Sequence, residues 1–110
     1  MNTLVPAFVA PAVRAVDADL RVACGPGPSC RVTLANHGTV RVQPTGGHLV
    51  AVARDGRRSE IALDGWWVLA GGARVHGIEL PFPACDAREL TATFRVGTTD
   101  LVARAEGCVP

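Results

Sequence analysis

Four cysteines, Cys24, Cys30, Cys85 and Cys108, are the residues with the most distinctive chemistry in this chain of 110 residues. Thiols can oxidise in pairs to disulfides, bind a soft metal, or remain reduced and buried. An even number in so short a chain favours two disulfides, and disulfides persist in extracytoplasmic compartments. We therefore expect a periplasmic or otherwise exported protein, with reduced and buried thiols as the alternative.

The pairing of these cysteines is the next question, because four of them can pair in three ways. Cys24–Cys30 and Cys85–Cys108 is the arrangement that the sequence favours. Each of these pairs flanks segments that we interpret as neighbouring strands. The other two connectivities stay open at this point.

The first sixteen residues do not have the features of a secretory signal peptide. Such a signal needs a basic start and an unbroken apolar helix. Here no Arg precedes position 14, and Pro6 and Pro11 interrupt the apolar run. No stretch approaches the roughly 20 apolar residues of a membrane helix, so no membrane span is expected. A chain start inside a longer reading frame would reconcile this N-terminus with an exported, cysteine-rich domain.

The histidines are the other candidate metal ligands. His37, His48 and His76 could join Cys24 or Glu79 around copper or zinc, but no two of them have a short ligand spacing such as His-x-His. We expect solvated or hydrogen-bonded histidines, no metal and no cofactor. A small periplasmic metal-binding protein is kept as the third interpretation of function.

Catalytic groups are not indicated. Ser29 lies in a Pro-Ser-Cys loop and Ser59 follows an Arg pair, so neither has the Gly-x-Ser-x-Gly context of a nucleophile. The absence of Lys excludes Schiff-base chemistry and a phosphate-binding loop ending in Gly-Lys. The paired acids have the pattern of solvated loop charges: Asp17 with Asp19, and Asp86 with Glu89. We expect no enzyme and no small-molecule substrate, and the net charge of +1 gives no reason to expect nucleic acid.

Two adjacent pairs of side chains are candidates for contacts at the surface. Trp66 and Trp67 are either an exposed binding patch, or one core residue and one that lies under a loop or against a neighbouring domain. We favour the second interpretation, because adjacent strand residues point to opposite faces and one of them can face the core. Arg57 and Arg58 are expected to be solvated charges that protect an edge strand.

Strands must position these side chains, because Gly and Pro interrupt the chain and no long window keeps a 3.6-residue period. The clearest strand covers residues 90–96, where apolar residues at even positions, including Phe94, alternate with Thr91, Thr93 and Arg95. Residues 49–53 are apolar throughout, as in a strand covered on both faces. Shorter apolar or alternating segments occur at residues 20–24, 31–34, 40–43, 61–63, 66–69, 75–80 and 101–105.

Turn residues separate these segments. Asp55-Gly56 predicts a two-residue hairpin of type I′, and Gly77 predicts a bulge. Other turns are predicted at residues 26–28, 36–38, 46–47 and 97–100. About seven short strands at this spacing predict an all-β fold, an immunoglobulin-like antiparallel β-sandwich.

Four stretches resemble the chaperones that assemble pili in the periplasm. Residues 30–38, Cys-Arg-Val-Thr-Leu-Ala-Asn-His-Gly, are similar to the strand and Asn-x-Gly turn that open the second domain of these proteins. Residues 67–75 resemble their Val-Leu-Ala-Gly-x-x-Arg segment, where a strand ends, the chain turns and the next strand begins. Residues 98–100, Thr-Thr-Asp, resemble the approach to the last strand. Residues 4–11 resemble the Pro-x-Phe-x-x-Pro sequence that closes the first domain.

The resemblance, which is closest to the branch serving archaic (Csu-type) fimbriae, implies a division of the chain. Residues 1–16 would be the end of the first domain's last strand and the linker, and residues 17–110 the second, C-terminal domain. In this family the last strand of the first domain lends alternate apolar side chains to an incomplete pilus subunit. Leu4, Pro6 and Phe8 are the implied subunit-binding remnant, with Val5, Ala7 and Val9 on the opposite face.

The function implied by the resemblance is that of a periplasmic chaperone-type binding protein for pilus or fimbrial subunits, in a truncated form that lacks the first domain. Its implied partners are the subunit and the usher. An independent secreted immunoglobulin-like adhesion or binding module is the main alternative.

The redox prediction can be checked directly. Digestion of the non-reduced protein, followed by mass spectrometry, is expected to yield peptides joined through Cys24–Cys30 and Cys85–Cys108. Each bond should stabilise the fold by roughly 2–4 kcal/mol, by constraining the unfolded chain. Four free thiols in periplasmic material would contradict the prediction, and a Cys24–Cys108 peptide would contradict the connectivity.

Overall fold

The computed structural model describes residues 17–105, and these form seven strands and one short 3-10 turn. Three strands, β1, β2 and β5, form one antiparallel sheet in the order β1-β2-β5. The other four form a second antiparallel sheet in the order β4-β3-β6-β7. The strands are β1 (Ala18–Cys24), β2 (Ser29–Asn36), β3 (Thr45–Ala53), β4 (Arg58–Ala62), β5 (Ala73–Glu79), β6 (Ala87–Val96) and β7 (Thr99–Arg104), with the 3-10 turn at Ala84–Asp86.

The two sheets make an immunoglobulin-like sandwich, as the strand count predicts. Three hairpins, β1–β2, β3–β4 and β6–β7, are joined by connections that cross from one sheet to the other. In the constant-type immunoglobulin arrangement the fourth strand joins the first sheet. Here β4 stays beside β3, which gives the sheets three and four strands.

The core lies between the inner faces of the sheets and follows the alternation of the strands. On β6 the residues at positions 90, 92, 94 and 96 are buried and Arg95 is exposed, as predicted. Phe94 is fully buried at the centre. It packs so closely on β3 that a Cβ atom at Gly47 would lie 2.2 Å from Cε1 of its ring. Glycine is therefore required at position 47, where any side chain would collide with the largest core residue.

Strand β3 is covered on both faces over part of its length, which confirms the prediction from its apolar run. Residues 49–53 are all buried. Those of even number face outward, where Val50 lies between Glu60 and Thr91 on the neighbouring strands. Apolar residues on both faces of one strand suit a central strand, and β3 lies between β4 and β6.

Two predicted turns have a different form. The amide of Gly56 donates to the carbonyl of Ala53, and the amide of Ala53 donates to the carbonyl of Arg57, so the hairpin loop has three residues, 54–56. Gly56 has φ +93°, as expected for a turn closed by a left-handed glycine. The predicted two-residue turn is thus wrong by one residue. Within this loop the amide and guanidinium of Arg57 bind the carboxylate of Asp55 and lower its pKa.

The glycine pair at 46–47 is the second predicted turn that has a different form in the structure. It does not turn the chain but lies inside β3, where the register with β6 shifts between Thr45 and His48. Gly46 has φ +61°, which a bulge accommodates. A glycine pair is compatible with either a turn or a bulge, and the pairing partner on β6 decides between them.

The predicted bulge at Gly77 is wrong, because β2 and β5 pair without a register shift from Ser29↔Glu79 to Ala35↔Ala73. The apparent slip in the sequence has another cause. His76 faces inward on the same side as buried Ile78, whereas Val75 faces solvent. A polar residue on the inner face and an apolar one on the outer face reverse the expected pattern.

Residues 40–43 and 66–69 do not form strands. They meet in one isolated antiparallel bridge between Val42 and Val68, closed by two backbone hydrogen bonds of 3.0 and 2.8 Å. In the described part of the chain, no helix is long and apolar enough to cross a membrane.

The central position of Phe94 makes a test of the strand register. Phe94→Ala is expected to cost about 3–5 kcal/mol, because it leaves a cavity between the sheets. That is a large part of the stability of a small domain. Urea unfolding monitored by circular dichroism measures the loss. Arg95→Ala, its exposed neighbour, is the matched control and should change the midpoint little; equal tolerance of both would contradict the register.

Candidate functional site

The first cysteine pair is a disulfide at the tip of the β1–β2 hairpin. Cys24 and Cys30 lie directly opposite each other, with Cα atoms 4.0 Å apart. Cys85, in the 3-10 turn, is also disulfide-bonded, and its predicted partner Cys108 lies outside the described residues. A disulfide fits an extracytoplasmic location.

The disulfide hairpin is tied to the segment that contains Cys85. The amide of Leu80 donates to the carbonyl of Pro28, and that of Ala84 to the carbonyl of Gly27, both at 2.9 Å. The predicted turn at 26–28 thus lies between the two sulfur-containing segments. This end of the sandwich is held by covalent and hydrogen bonds together.

The three histidines lie in different environments. His37 is exposed and contacts the carboxylate of Asp19 at 3.3 Å, and His48 contacts the carbonyl of Gly46 at 3.1 Å. His76 lies against the ring of Phe94, with ring centroids 5.4 Å apart. Among residues 17–105 there is no group of three or more side chains that could hold a metal ion.

The two candidate nucleophiles lie on different sheets. The hydroxyl of Ser29 donates to the carboxylate of Glu79 across the sheet. Ser59 lies on the edge strand β4. In the described part of the chain, no hydrogen bond joins either serine to a histidine.

Both tryptophans are exposed, 60% for Trp66 and 44% for Trp67, so the favoured expectation of one core tryptophan is wrong. They lie in the connection from β4 to β5, where Val68 occupies the core position and is 2% exposed. Because Val68 fills that position, the preceding bulky rings remain outside. Their exposure agrees with the alternative interpretation, in which both tryptophans lie on the surface.

Asn36 fixes the position of this connection. Its carboxamide is buried, and its Nδ2 donates to the carbonyls of Val40 at 2.9 Å and Val68 at 3.1 Å. Its Oδ1 accepts from the amide of Gly38 at 2.9 Å. One side chain thus joins the loop after β2 to the segment that carries the tryptophans.

Each tryptophan ring has an arginine beside it. The guanidinium carbon of Arg41 is 4.5 Å from the ring centroid of Trp67, and that of Arg74 is 5.7 Å from the centroid of Trp66. Both distances are within the range of cation–π contacts. We use the name tryptophan patch for these four residues together with exposed Val40 and Leu69. Sequence analysis identified only the Trp pair, since the arginines lie 26 and 8 residues away from their rings.

A hollow of about 430 Å³ opens beside the patch. Its apolar wall includes Val40, Val42 and Val96, and Asp17 lies at its rim. Asp17, the residue before β1, therefore lies at the same end of the sandwich as Val40 of the tryptophan patch. The implied subunit-binding residues Leu4, Pro6 and Phe8 lie outside the described residues.

The electrostatics of His76 follow from its position on the inner face of β5. Burial lowers the pKa of its imidazole below the ordinary 6.5, and Arg74 acts in the same direction. The carboxylate of Asp64, 3.9 Å from Nδ1, opposes this shift without cancelling it. The ring is therefore held in its neutral form against Phe94.

Comparisons with known proteins identify no family: no family model matches the chain, and no curated protein matches it. Two solved structures are similar. One is the X-ray structure of Northeast Structural Genomics Consortium target SoR45, with 11% identity, 91% of each chain covered and a TM-score of 0.47. The other is the GH20 exo β-N-acetylglucosaminidase from Vibrio harveyi in complex with N-acetylglucosamine, with 17% identity, 83% of this chain and 17% of that chain covered, and a TM-score of 0.36. Likenesses this distant carry no argument about function.

The lowered pKa of His76 predicts a loss of stability in mild acid. The unfolded chain takes up the proton near pH 6.5, whereas the folded chain takes it up only at lower pH. The free energy of unfolding should therefore fall as the pH decreases through 6.5 towards the folded pKa. Urea midpoints of the wild type between pH 7.5 and 5.5 measure this fall.

A neutral replacement isolates the contribution of His76. His76→Gln should reduce the slope of stability against pH over this range, whatever its effect at pH 7.5. The wild type and the variant both keep His37 and His48, so the difference between their slopes reports on His76. An unchanged slope in His76→Gln would show that the core histidine does not cause the acid sensitivity.

Proposed function

We propose that this chain is a non-catalytic, chaperone-type binding protein for the assembly of pilus or fimbrial subunits in the periplasm. In this proposal, residues 17–110 are the second domain of such a chaperone, and residues 1–16 are the end of the first domain's donor strand and the linker. The observation that supports it best is the form of residues 30–38, where β2 ends at Asn36 and a turn closed on Gly38 follows directly.

Residues 30–38 have the form that the resemblance implies, whereas residues 67–75 have the implied turn and following strand but only an isolated bridge in place of the preceding strand. Strand β2 ends at Asn36 and the chain turns at once, with the amide of Gly38 bound to the Asn36 side chain. After the bridge at Val68, the chain turns at Gly71, which has φ +75°, and β5 begins at Ala73. The turn after Asn36 and the turn at Gly71 support the proposal, because they occur in the order and at the spacing of the family's motifs.

The proposed activity depends on strand addition. A donor strand offers main-chain hydrogen bonds to the subunit and places alternate apolar side chains in its groove. Leu4, Pro6 and Phe8 would contribute the end of that strand. The sandwich would act as the supporting domain, and the subunit and the usher would be the partners.

A second candidate is an independent secreted immunoglobulin-like adhesion or binding module. The tryptophan patch favours it, because exposed tryptophan and arginine side chains are enriched at the energetic centres of protein interfaces. Such a module would bind through its own surface and would need no first domain. The two candidates therefore differ in how binding should respond when N-terminal sequence is removed or added.

The test compares three proteins: the chain itself, the chain without residues 1–10, and the chain extended by the first domain encoded upstream in the same frame. We expect the deletion to change the melting temperature little, because Pro6 lacks a backbone donor and pairs poorly in a central strand. We expect only the extended protein to bind the pilus subunit encoded by a neighbouring gene, measured by titration calorimetry.

Two results would contradict the proposal. One is an upstream sequence without an in-frame first domain, together with the lack of neighbouring usher and pilin genes. The other is a large loss of stability on deletion with strong amide-exchange protection at Val5 and Phe8 in the intact chain. The second result would show an integral first strand and would favour the independent module.

A further inference from the structure

The exposed apolar side chains of the sandwich are concentrated at one place. Six large apolar residues are exposed among residues 17–105, and two of them, Val75 and Val102, lie on strands. The other four lie in the two segments joined by the bridge between Val42 and Val68. They are Val40 at 70%, Leu69 at 67%, Trp66 at 60% and Trp67 at 44% exposure. Large apolar residues that gather in this way mark an interaction surface.

The charge of the tryptophan patch is positive. Arg41 and Arg74 lie against the indole rings, and neither forms an ion pair with a carboxylate of residues 17–105. Asp64, the carboxylate close to Trp66 in sequence, faces His76 instead. A guanidinium beside a ring still has N–H groups that can bind a carboxylate in a forked geometry.

The patch is also rigid at its base. The bridge between Val42 and Val68 and the carboxamide of Asn36 hold the two segments together. Partners that meet a preorganised surface lose less conformational freedom on binding than they would on a mobile loop. Trp66 and Trp67 are thus exposed on a segment that is held by hydrogen bonds.

The chemistry of the patch favours a protein over a saccharide. Arginine already lies against each indole, whereas a sugar needs a bare ring face for stacking. Val40 and Leu69 offer aliphatic surface, which packs against apolar side chains. Tryptophan and arginine together are the residues most enriched at the centres of protein interfaces.

A second copy of this chain does not fit the patch. Contacts in symmetric dimers bring the same surface of both copies together. The positively charged surface of one copy would then face the same positively charged surface of the other, and like charges in contact oppose association. The positive charge calls for a partner of opposite charge.

We propose that the tryptophan patch is a docking surface for an acidic segment of another protein. Its carboxylates pair with Arg41 and Arg74, and its apolar side chains cover the indole rings, Val40 and Leu69. The proposal does not depend on the chaperone assignment, because it rests on residues 40–74 alone. For the independent binding module, this patch would be the binding surface, and the proposal names the chemistry of its partner.

Selection from a random peptide library displayed on phage, with the full chain as bait, identifies the preferred chemistry. We expect enriched peptides that combine Asp or Glu with aliphatic or aromatic residues. Binding of synthetic copies without tryptophan is followed by intrinsic fluorescence. Trp66 and Trp67 are the only tryptophans and the chain has no tyrosine, so the emission reports on the patch alone.

The decisive comparison is between two double variants. Arg41→Gln with Arg74→Gln should weaken binding of the selected peptides at least tenfold, and raised salt should weaken binding to the wild type. Arg31→Gln with Arg104→Gln removes two exposed arginines of the strands and should leave the affinity unchanged. Thermal melts show that each variant is folded.

Several outcomes would overturn the proposal. These are failure to enrich any peptide, enrichment of peptides without carboxylates, and equal binding by both double variants. Saturable binding of polygalacturonate at the tryptophans, in place of peptides, would assign the patch to a saccharide. Self-association in sedimentation experiments that is lost on Trp66→Ser would assign it to a second copy.

Discussion

The buried carboxamide of Asn36 is the interaction on which the arrangement of the tryptophan patch depends. It lies at the last position of β2 and makes three hydrogen bonds, to Gly38, Val40 and Val68. Its backbone amide donates to the carbonyl of Gly72 and its carbonyl accepts from Gly71, which joins β2 to the approach of β5. A buried amide of this kind is costly unless its polar atoms are paired, so the two connections are held in one arrangement. The exposure of Trp66 and Trp67 follows from that arrangement.

The two ends of the sandwich have different physical character. At one end, the disulfide between Cys24 and Cys30 closes the first hairpin, whose loop binds the segment containing disulfide-bonded Cys85. At the other end, polar interactions of Asn36 take the place of covalent bonds, and the surface is apolar and positively charged. Strand β2 connects these ends, since it begins beside the disulfide and ends at Asn36.

The middle of the sandwich depends on close packing between β3 and β6. Gly47 leaves space for the ring of Phe94, and the bulge at Gly46 lets β3 keep its apolar residues on the core side. His76 fills the remaining side of that ring and stays neutral there because burial lowers its pKa. Asp64, whose carboxylate lies 3.9 Å from Nδ1 of His76, precedes Trp66 in the connection from β4 to β5.

The sequence by itself determined the features that depend on local pattern. Alternation placed Phe94 inside and Arg95 outside, an unbroken apolar run marked β3 as a central strand, and cysteine spacing indicated the bond between Cys24 and Cys30. An all-β sandwich of seven strands follows from such patterns, because one face of each strand packs on the core and the other faces water.

Tertiary structure decided the features that depend on residues distant in sequence. Whether Gly46 and Gly47 turn the chain or form a bulge depended on β6, and the side on which β5 places His76 depended on its pairing with β2. The tryptophan patch has the same origin. Residues 40–43 alternate and residues 66–69 are apolar throughout, as strands can be, yet the two segments share one bridge only and both indole rings are exposed. The packing of Val68 and the hydrogen bonds of Asn36 hold this arrangement. Local sequence states which side chains can be buried, whereas competition among distant segments for one core decides which of them are.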